Sequence, residues 1–145
     1  LYKLPGNLLE IELTENAFIH DATHAQEILN KLHHHGIRLS LDDFGTGYSS
    51  LSYLQNYPFN SVKIDRSFIR NLETSEQSRQ LVNTIIAMAN NLQLSLVAEG
   101  VENQFQADFV AKQGANIWQG YHLGKPVDAN DFAQQYLIPS MTPLF

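Results

Sequence analysis

Short apolar runs alternate along the chain with longer segments in which apolar residues recur at helical spacing. The short runs span four to seven residues and are rich in Leu, Ile and Val, which favours strands. The predicted strands are 8–14, 37–41, 61–64, 94–98 and 115–120. The predicted helices are 25–35, a segment from about Ser49 and Ser50 to just before Pro58, 75–91, 103–113 and 131–137. Five strands that each precede a helix indicate an α/β fold with a parallel sheet.

Polar residues and glycines predict where several of these helices begin and end. Ser75 and Asn103 stand at the start of two helical segments and are expected to act as N-caps. Gly36 and Gly114 follow two others and are expected to end them. These signals support the helix assignments independently of the apolar spacing.

The composition is that of a folded domain. Of the 145 residues, 43% are hydrophobic and 17% are charged, which excludes extended disorder and suits one domain. The formal net charge of -6 disfavours a binder of nucleic-acid polymers but is compatible with an acidic site that holds cations. The absence of cysteine excludes disulfides and thiolate metal sites, and it is compatible with the cytosol.

The ends of the chain suggest a part of a longer protein. The segment Leu1–Pro5 has neither a start methionine nor the pattern of a signal peptide. No apolar run approaches the roughly 20 residues that a membrane-spanning helix needs. We expect a domain over residues 1–137 and an irregular tail over residues 138–145.

Charged and amide side chains fall where each predicted strand ends. They are Glu12 and Glu15, Asp42 and Asp43, Lys63, Glu99 and Glu102, and Gln119. Parallel strands bring their carboxyl ends to one edge of a sheet or barrel, where α/β proteins bind their ligands. We therefore expect these side chains to lie close together. Unrelated helix caps and solvated charges are the alternative explanation.

The adjacent pair Asp42 and Asp43 is difficult to explain by capping. Strand side chains alternate between faces, so only one of the two points inward while the strand stays regular. A pair of cations explains both, since one carboxylate then bridges two ions and the next binds one. Oxygen ligands favour Mg²⁺ or Mn²⁺, and carboxylates crowded on one rim would repel each other without them.

Two glycines follow the Asp pair. Gly45 and Gly47 flank Thr46 in a segment that we expect to reach positive φ and to move. An ordinary turn is the alternative explanation.

Five segments together resemble the second half of EAL domains in order and spacing. They are Glu12–Glu15, Asp42–Ser50, Lys63–Phe68, Ala98–Glu102 and Gln119–Tyr121. The resemblance covers nearly the whole chain. It implies a TIM-like (β/α)8 barrel of EAL type, truncated here to about its last five β-α units. It also implies hydrolysis of cyclic di-GMP to linear pGpG in bacterial second-messenger signalling.

The resemblance also implies a two-metal site for Mg²⁺ or Mn²⁺. Glu12 is similar to a ligand of the first metal, and Asp42 is similar to the carboxylate that bridges both metals. Asp43 is similar to a ligand of the second metal. Glu99 resembles a carboxylate proposed as general base or as a second-metal ligand. Lys63 resembles the catalytic residue that holds the attacking water and a phosphate oxygen.

Other positions resemble residues that support the site. Glu15 and Glu102 are similar to supports of the mobile loop and of the metal site. Gln119 resembles a polar contact from a late strand, and Asp65 resembles a residue that orders the same region. The loop positions carried over from the family are Gly45, Thr46 and Gly47.

The chain departs from the family pattern at its beginning. The Glu-Ala-Leu motif and a metal-binding Asn on the following strand are absent, and the resemblance places both upstream of Leu1. The two-metal site is therefore expected to be incomplete in this chain, and the isolated chain is expected to be inactive or nearly so. The exposed edge of the first strand is expected to favour self-association.

The resemblance further implies partners and a location. These are cyclic di-GMP, a homodimer, and a sensory or GGDEF-type domain N-terminal to this one in a parent protein, with no nucleic-acid polymer. The domain is expected in the cytoplasm, and the parent is expected to be either soluble or membrane-anchored. The alternative function is a catalytically silent EAL domain that serves as a cyclic di-GMP receptor or protein-interaction module. A barrel enzyme for another phosphorylated substrate is a third hypothesis.

Overall fold

Five strands form one parallel sheet whose spatial order follows the chain. The structure, a computed structural model, describes residues 4–14, 22–46, 51–115 and 117–137, without the side chains of residues 22 and 23. The strands are β1 (Glu10–Thr14), β2 (Arg38–Phe44), β3 (Ser61–Ile64), β4 (Ser95–Glu99) and β5 (Ile117–Gln119). Each strand pairs in parallel with the next one. This arrangement is an arc of a (β/α) barrel, as the sequence predicts.

Helices connect successive strands. They are α1 (Ala22–His34), α2 (Leu51–Asn56), α3 (Arg66–Arg70), α4 (Glu76–Asn91), α5 (Gln104–Gln113) and α6 (Ala129–Phe132). A 3₁₀ turn, Gly6–Leu8, precedes β1, and a π-helical turn, Ala133–Leu137, follows α6. The predicted caps at Ser49 and Ser50, and the predicted tail, lie outside the described residues.

Four predicted helix ends are confirmed. The Ser75 side chain accepts a hydrogen bond from Ser78 N at the start of α4. The Asn103 side chain accepts one from Gln106 N at the start of α5. Gly36 and Gly114 follow α1 and α5 with positive φ values of 77° and 98°, a conformation that costs glycine little.

Several predicted boundaries were wrong. The 3₁₀ turn includes Leu8, the first residue of the predicted first strand, and β1 begins at Glu10. The second strand continues past 41 to Phe44. The segment 131–137 is not one α-helix, because α6 begins after the Asp128 cap and the chain then widens into the π-helical turn. The short helix α3 was not predicted.

Alternation along the strands separates the core from the site. Leu39, Leu41, Val62 and Ile64 point to the helix side of the sheet and are almost fully buried there. Helix α1 packs against β2, and helix α4 packs against β3 and β4 with an apolar face that includes buried residues Val82, Ile85, Ile86 and Ala89. The intervening strand positions therefore face the barrel interior, where the polar residues lie.

Candidate functional site

The predicted site residues of the strands converge at the carboxyl edge of the sheet. Glu12, Asp42, Lys63, Glu99 and Gln119 each lie at or near the end of a different strand. All five sit on the interior face, since each neighbours an outward-facing core residue along its strand. The sheet therefore brings together side chains that are far apart in the sequence.

Lys63 lies at the centre of this group. Its Nζ is 2.7 Å from Glu12 Oε1, 2.7 Å from Glu99 Oε1 and 3.4 Å from Asp42 Oδ1. Its side chain is 6% exposed, so these contacts are shielded from solvent at the lysine end. Burial acts against the charged form, but the hydrogen bonds to Glu12 and Glu99 prevail and hold the pKa of Lys63 above its usual value. The lysine is therefore a permanent cation.

A bulge in β2 brings Asp42 and Asp43 to the same site. The pairing of β2 with β3 shifts register between Leu41 and Phe44, which marks a bulge. Asp43 has a positive φ of 54°, uncommon for a residue other than glycine. Its backbone N–H donates to Asp42 Oδ1 at 3.0 Å. The bulge removes the alternation that would otherwise send the two carboxylates to opposite faces.

Three carboxylates form a candidate cation site. One carboxylate oxygen from each of Asp42, Asp43 and Glu99 lies within 4.8 Å of the others. These hard oxygen donors fit Mg²⁺ or Mn²⁺ in chemistry and in spacing. Glu12 is not part of this group, and its side chain instead contacts Lys63.

Burial and mutual repulsion make the acidic group avid for positive charge. Burial, followed by the charges of Asp42 and Asp65, raises the pKa of Asp43. Burial also raises the pKa of Glu99, although Lys63 acts in the opposite direction. A raised carboxyl pKa means that the anion is under-stabilised. A bound divalent cation would supply the missing stabilisation.

Gln119 holds Glu99 from the neighbouring strand. Its Nε2 donates to Glu99 Oε1 at 2.7 Å, so this oxygen interacts with both Gln119 and Lys63. The backbone N–H of Val101 donates to Gln119 O at 3.0 Å and locks the two strand ends together. Gly120 is needed for this approach, because a Cβ atom there would lie 2.1 Å from Val101 O.

The described residues that were predicted to support the site lie at different places around the carboxylates. Asp65 caps α3 by accepting a hydrogen bond from Ser67 N at 3.0 Å. Thr46 donates from its N and its Oγ1 to Asp43 O. Gly45 has a φ of 97° and lies close to the Phe68 ring. Glu102 has an exposed side chain in the loop after β4. Glu15 and Gly47 lie outside the described residues.

An open cavity of about 980 Å³ adjoins Glu99. Its lining includes Glu99, Glu102, Arg66, Gln119 and Trp118, together with residues that follow β5. Sequence reasoning missed Arg66, although it lies inside the segment Lys63–Phe68 that carries the family resemblance. It also missed Gln106, whose 3% exposed side chain accepts a hydrogen bond from Glu102 N at 2.7 Å. Only its position early in a helix could have indicated a capping role.

Comparison with protein families decides the assignment. A family model described as the EAL domain matches residues 1–126. The chain belongs to the EAL domain family. This EAL domain is 43% identical over 137 residues to the signaling protein YkoW of Bacillus subtilis strain 168. It is 42% identical over 130 residues to the cyclic di-GMP phosphodiesterase PdeL of Escherichia coli K12.

The same comparisons show how much of each relative the chain represents. The matches cover 94% of this chain but 17% of YkoW, and 90% of this chain but 36% of PdeL. The chain thus spans only a minor part of these curated relatives.

Solved structures confirm the fold of this EAL domain. The structure titled "PaMucR Phosphodiesterase, c-di-GMP complex" matches with a TM-score of 0.84 and 41% identity, covering 89% of this chain and 52% of that one. A manganese and cyclic di-GMP complex of Klebsiella pneumoniae BlrP1 matches with a TM-score of 0.76 and 29% identity, covering 82% and 30%. None of the described helices combines the length and apolar character that a membrane crossing requires.

Proposed function

We propose that this EAL domain hydrolyses cyclic di-GMP to linear pGpG with Mg²⁺ or Mn²⁺ bound at the carboxyl edge of the sheet. The observation that carries the proposal is the convergence of Asp42, Asp43 and Glu99 around the buried Lys63. The names of PdeL and of the PaMucR complex support the substrate, and the BlrP1 complex supports the metal.

The residues present would divide between two cations. Glu12 and Asp42 would hold the first, and Asp42, Asp43 and Glu99 would hold the second. When bound, such cations supply Lewis-acid polarisation of the phosphate and acidify a coordinated water. The carboxylates of this chain fix where that positive charge sits.

Lys63, Glu99 and Gln119 then act on the phosphodiester. The Lys63 ammonium places a positive charge beside a phosphate oxygen that gains negative charge as the water attacks. Glu99 would alternatively act as the general base that accepts a proton from the attacking water, instead of ligating the second cation. The hydrogen bond from Gln119 Nε2 fixes the orientation of that carboxylate.

The cavity beside Glu99 provides room for the nucleotide. Its volume of about 980 Å³ is at the upper end of the range for small-molecule sites. Its lining joins the cation Arg66 to aromatic surface from the exposed Tyr121. A ligand with phosphates and purine rings matches that chemistry.

We propose further that the isolated chain is inactive and that activity belongs to a longer parent protein. Within the described residues, β1 pairs with β2 along one edge only, and only Glu12 and Asp42 are available to the first cation. A homodimer and an N-terminal sensory or GGDEF-type domain remain proposals of the family resemblance.

The test is hydrolysis of cyclic di-GMP with Mn²⁺ or Mg²⁺ by this chain, by the longer parent and by an Asp42→Ala parent. We expect turnover by the parent alone. Turnover by the Asp42→Ala parent at the unmodified rate would refute the two-metal assignment, and full turnover by the isolated chain would refute its inactivity. A parent that binds the dinucleotide without cleaving it would instead establish the receptor function.

A further inference from the structure

Lys63 engages most of the carboxylates that are proposed to hold metal. Its ammonium contacts Glu12, Asp42 and Glu99, and the two shorter distances are those of charge-assisted hydrogen bonds. The same Glu99 oxygen that contacts Lys63 also accepts from Gln119 Nε2. A divalent cation that approaches these carboxylates therefore meets the Lys63 ammonium, which already contacts them.

We propose that the Lys63 ammonium is the resident counter-cation of the metal-free site and that a divalent cation binds by displacing it. The inference rests on the proposed function, because it takes Asp42, Asp43 and Glu99 as metal ligands. It adds that Lys63 sets the concentration of divalent cation at which the site becomes occupied.

The charge arrangement supports displacement. A single lysine neutralises one unit of charge, whereas Glu12, Asp42, Asp43 and Glu99 carry four carboxylates. No ion pair within 4.0 Å joins Asp43 to Lys63 in the part of the chain that the structure describes, so Asp43 is free to contact an arriving cation first. Divalent charge then replaces monovalent charge at Asp42 and Glu99, which relieves the repulsion that the lysine leaves.

Lysine chemistry makes the exchange feasible. The ammonium is a compact charge at the end of a flexible four-carbon stem, unlike the rigid guanidinium of arginine. The backbone of Lys63 stays fixed in β3, where it pairs with Val97 of β4. The head group therefore turns away from Asp42 and Glu99 without disturbing the sheet.

The direct test is Mn²⁺ binding by the 145-residue chain, measured by calorimetry without any nucleotide. We expect Lys63→Met to bind Mn²⁺ about ten-fold more tightly or better, since each 1.4 kcal/mol of removed competition is worth a factor of ten. We also expect its melting temperature without metal to fall, and Mn²⁺ to restore more stability to it than to the unmodified chain.

Two controls separate the local effect from net charge. Lys112→Met removes the same charge from an exposed position in the last turn of α5, and we expect unchanged Mn²⁺ affinity. Lys63→Arg keeps the positive charge at this position, and we expect it to bind Mn²⁺ no more tightly than the unmodified chain does. Equal or weaker binding by Lys63→Met than by the unmodified chain overturns the inference and leaves the proposed function standing. Absence of Mn²⁺ binding by every variant, the unmodified chain included, overturns the inference, because no divalent cation then replaces the ammonium; the proposed function is tested separately by hydrolysis with the longer parent.

A second measurement avoids substitution altogether. Nuclear magnetic resonance of ¹⁵N-labelled lysine side chains reports the rate at which the Lys63 ammonium exchanges protons with water. We expect saturating Mg²⁺ to speed this exchange, because the ammonium loses the charge-assisted hydrogen bonds that shield it. An exchange rate that Mg²⁺ leaves unchanged, in a chain that binds Mg²⁺, overturns the displacement.

Discussion

At the scale of single residues, a second ion pair inside the barrel connects charge to stability. Glu10 accepts hydrogen bonds from Arg38 Nε and Ser61 Oγ, each at 2.9 Å. Burial acts to raise the pKa of Glu10, but these two partners prevail and lower it. A carboxyl whose folded pKa is depressed stabilises the fold above its unfolded pKa, and the contribution disappears as the pH falls through the folded pKa.

We therefore expect Glu10→Gln to lose about 0.5–1 kcal/mol of unfolding free energy at pH 7, a value discounted for partial exposure. The deficit should shrink as the pH drops below the unfolded value of about 4.5. Urea denaturation at a series of pH values measures it, with the exposed Glu27→Gln on α1 as the matched control. A deficit that is independent of pH would contradict the assignment.

Gly120 offers a test of close backbone approach beside Glu99. A methyl group there would overlap Val101 O and N, so Gly120→Ala should separate the ends of β4 and β5. We expect a loss of about 2 kcal/mol or more, which is typical of overpacking at a site with no room. Gly124→Ala is the control, because its Cβ would approach only the Tyr136 hydroxyl at 3.4 Å. An equal loss of stability in both variants, measured by thermal denaturation, would count against a special role for Gly120.

At the scale of elements, the start of α5 holds the loop that carries Glu102. Gln106 Oε1 accepts from Glu102 N, while Gln106 N donates to Asn103 Oδ1 at 3.0 Å. Asn103 Nδ2 donates in turn to Glu73 Oε1 at 2.6 Å, which ties the loop to the segment between α3 and α4. The loop after β4 is therefore fixed by polar contacts from two directions.

We expect Gln106→Met to cost about 1–3 kcal/mol, because it leaves a partly buried N–H without an acceptor. Gln106→Glu keeps an oxygen in the same place and should retain part of that stability. Chemical denaturation of the three proteins gives the order. Equal stability of Gln106→Met and the unmodified chain would show that water replaces the side chain.

The sequence predicts the elements better than their irregularities. Apolar spacing predicts all five strands and places β3 at its observed bounds, because buried strands must be apolar. The bulge at Asp42 and Asp43 is not predictable from alternation, since it depends on a positive φ at a residue that rarely adopts one. Helix α3 was missed because five residues are too few to show helical spacing. The Lys63 contacts follow from tertiary pairing of strands that lie far apart in sequence.

At the scale of the molecule, the sheet has an unpaired edge. The outer edge of β1 has no partner among the described residues, and Leu4, Leu8 and Leu9 are exposed beside it. Exposed strand edges with apolar neighbours favour pairing with another chain. We expect the isolated chain to self-associate as its concentration rises, measured by light scattering after gel filtration. Leu8→Lys with Leu9→Lys should reduce that association, and a purely monomeric unmodified chain would contradict the expectation.

We propose that the carboxylates gathered by this sheet hold divalent cations. Anomalous diffraction from crystals of the proposed longer parent, grown with Mn²⁺ and cyclic di-GMP, tests this proposal. We predict an anomalous peak about 2.0–2.2 Å from carboxylate oxygens of Asp42, Asp43 and Glu99, the distance typical of small divalent cations on oxygen ligands. Crystals that contain the dinucleotide but show no anomalous peak at these carboxylates would contradict the account.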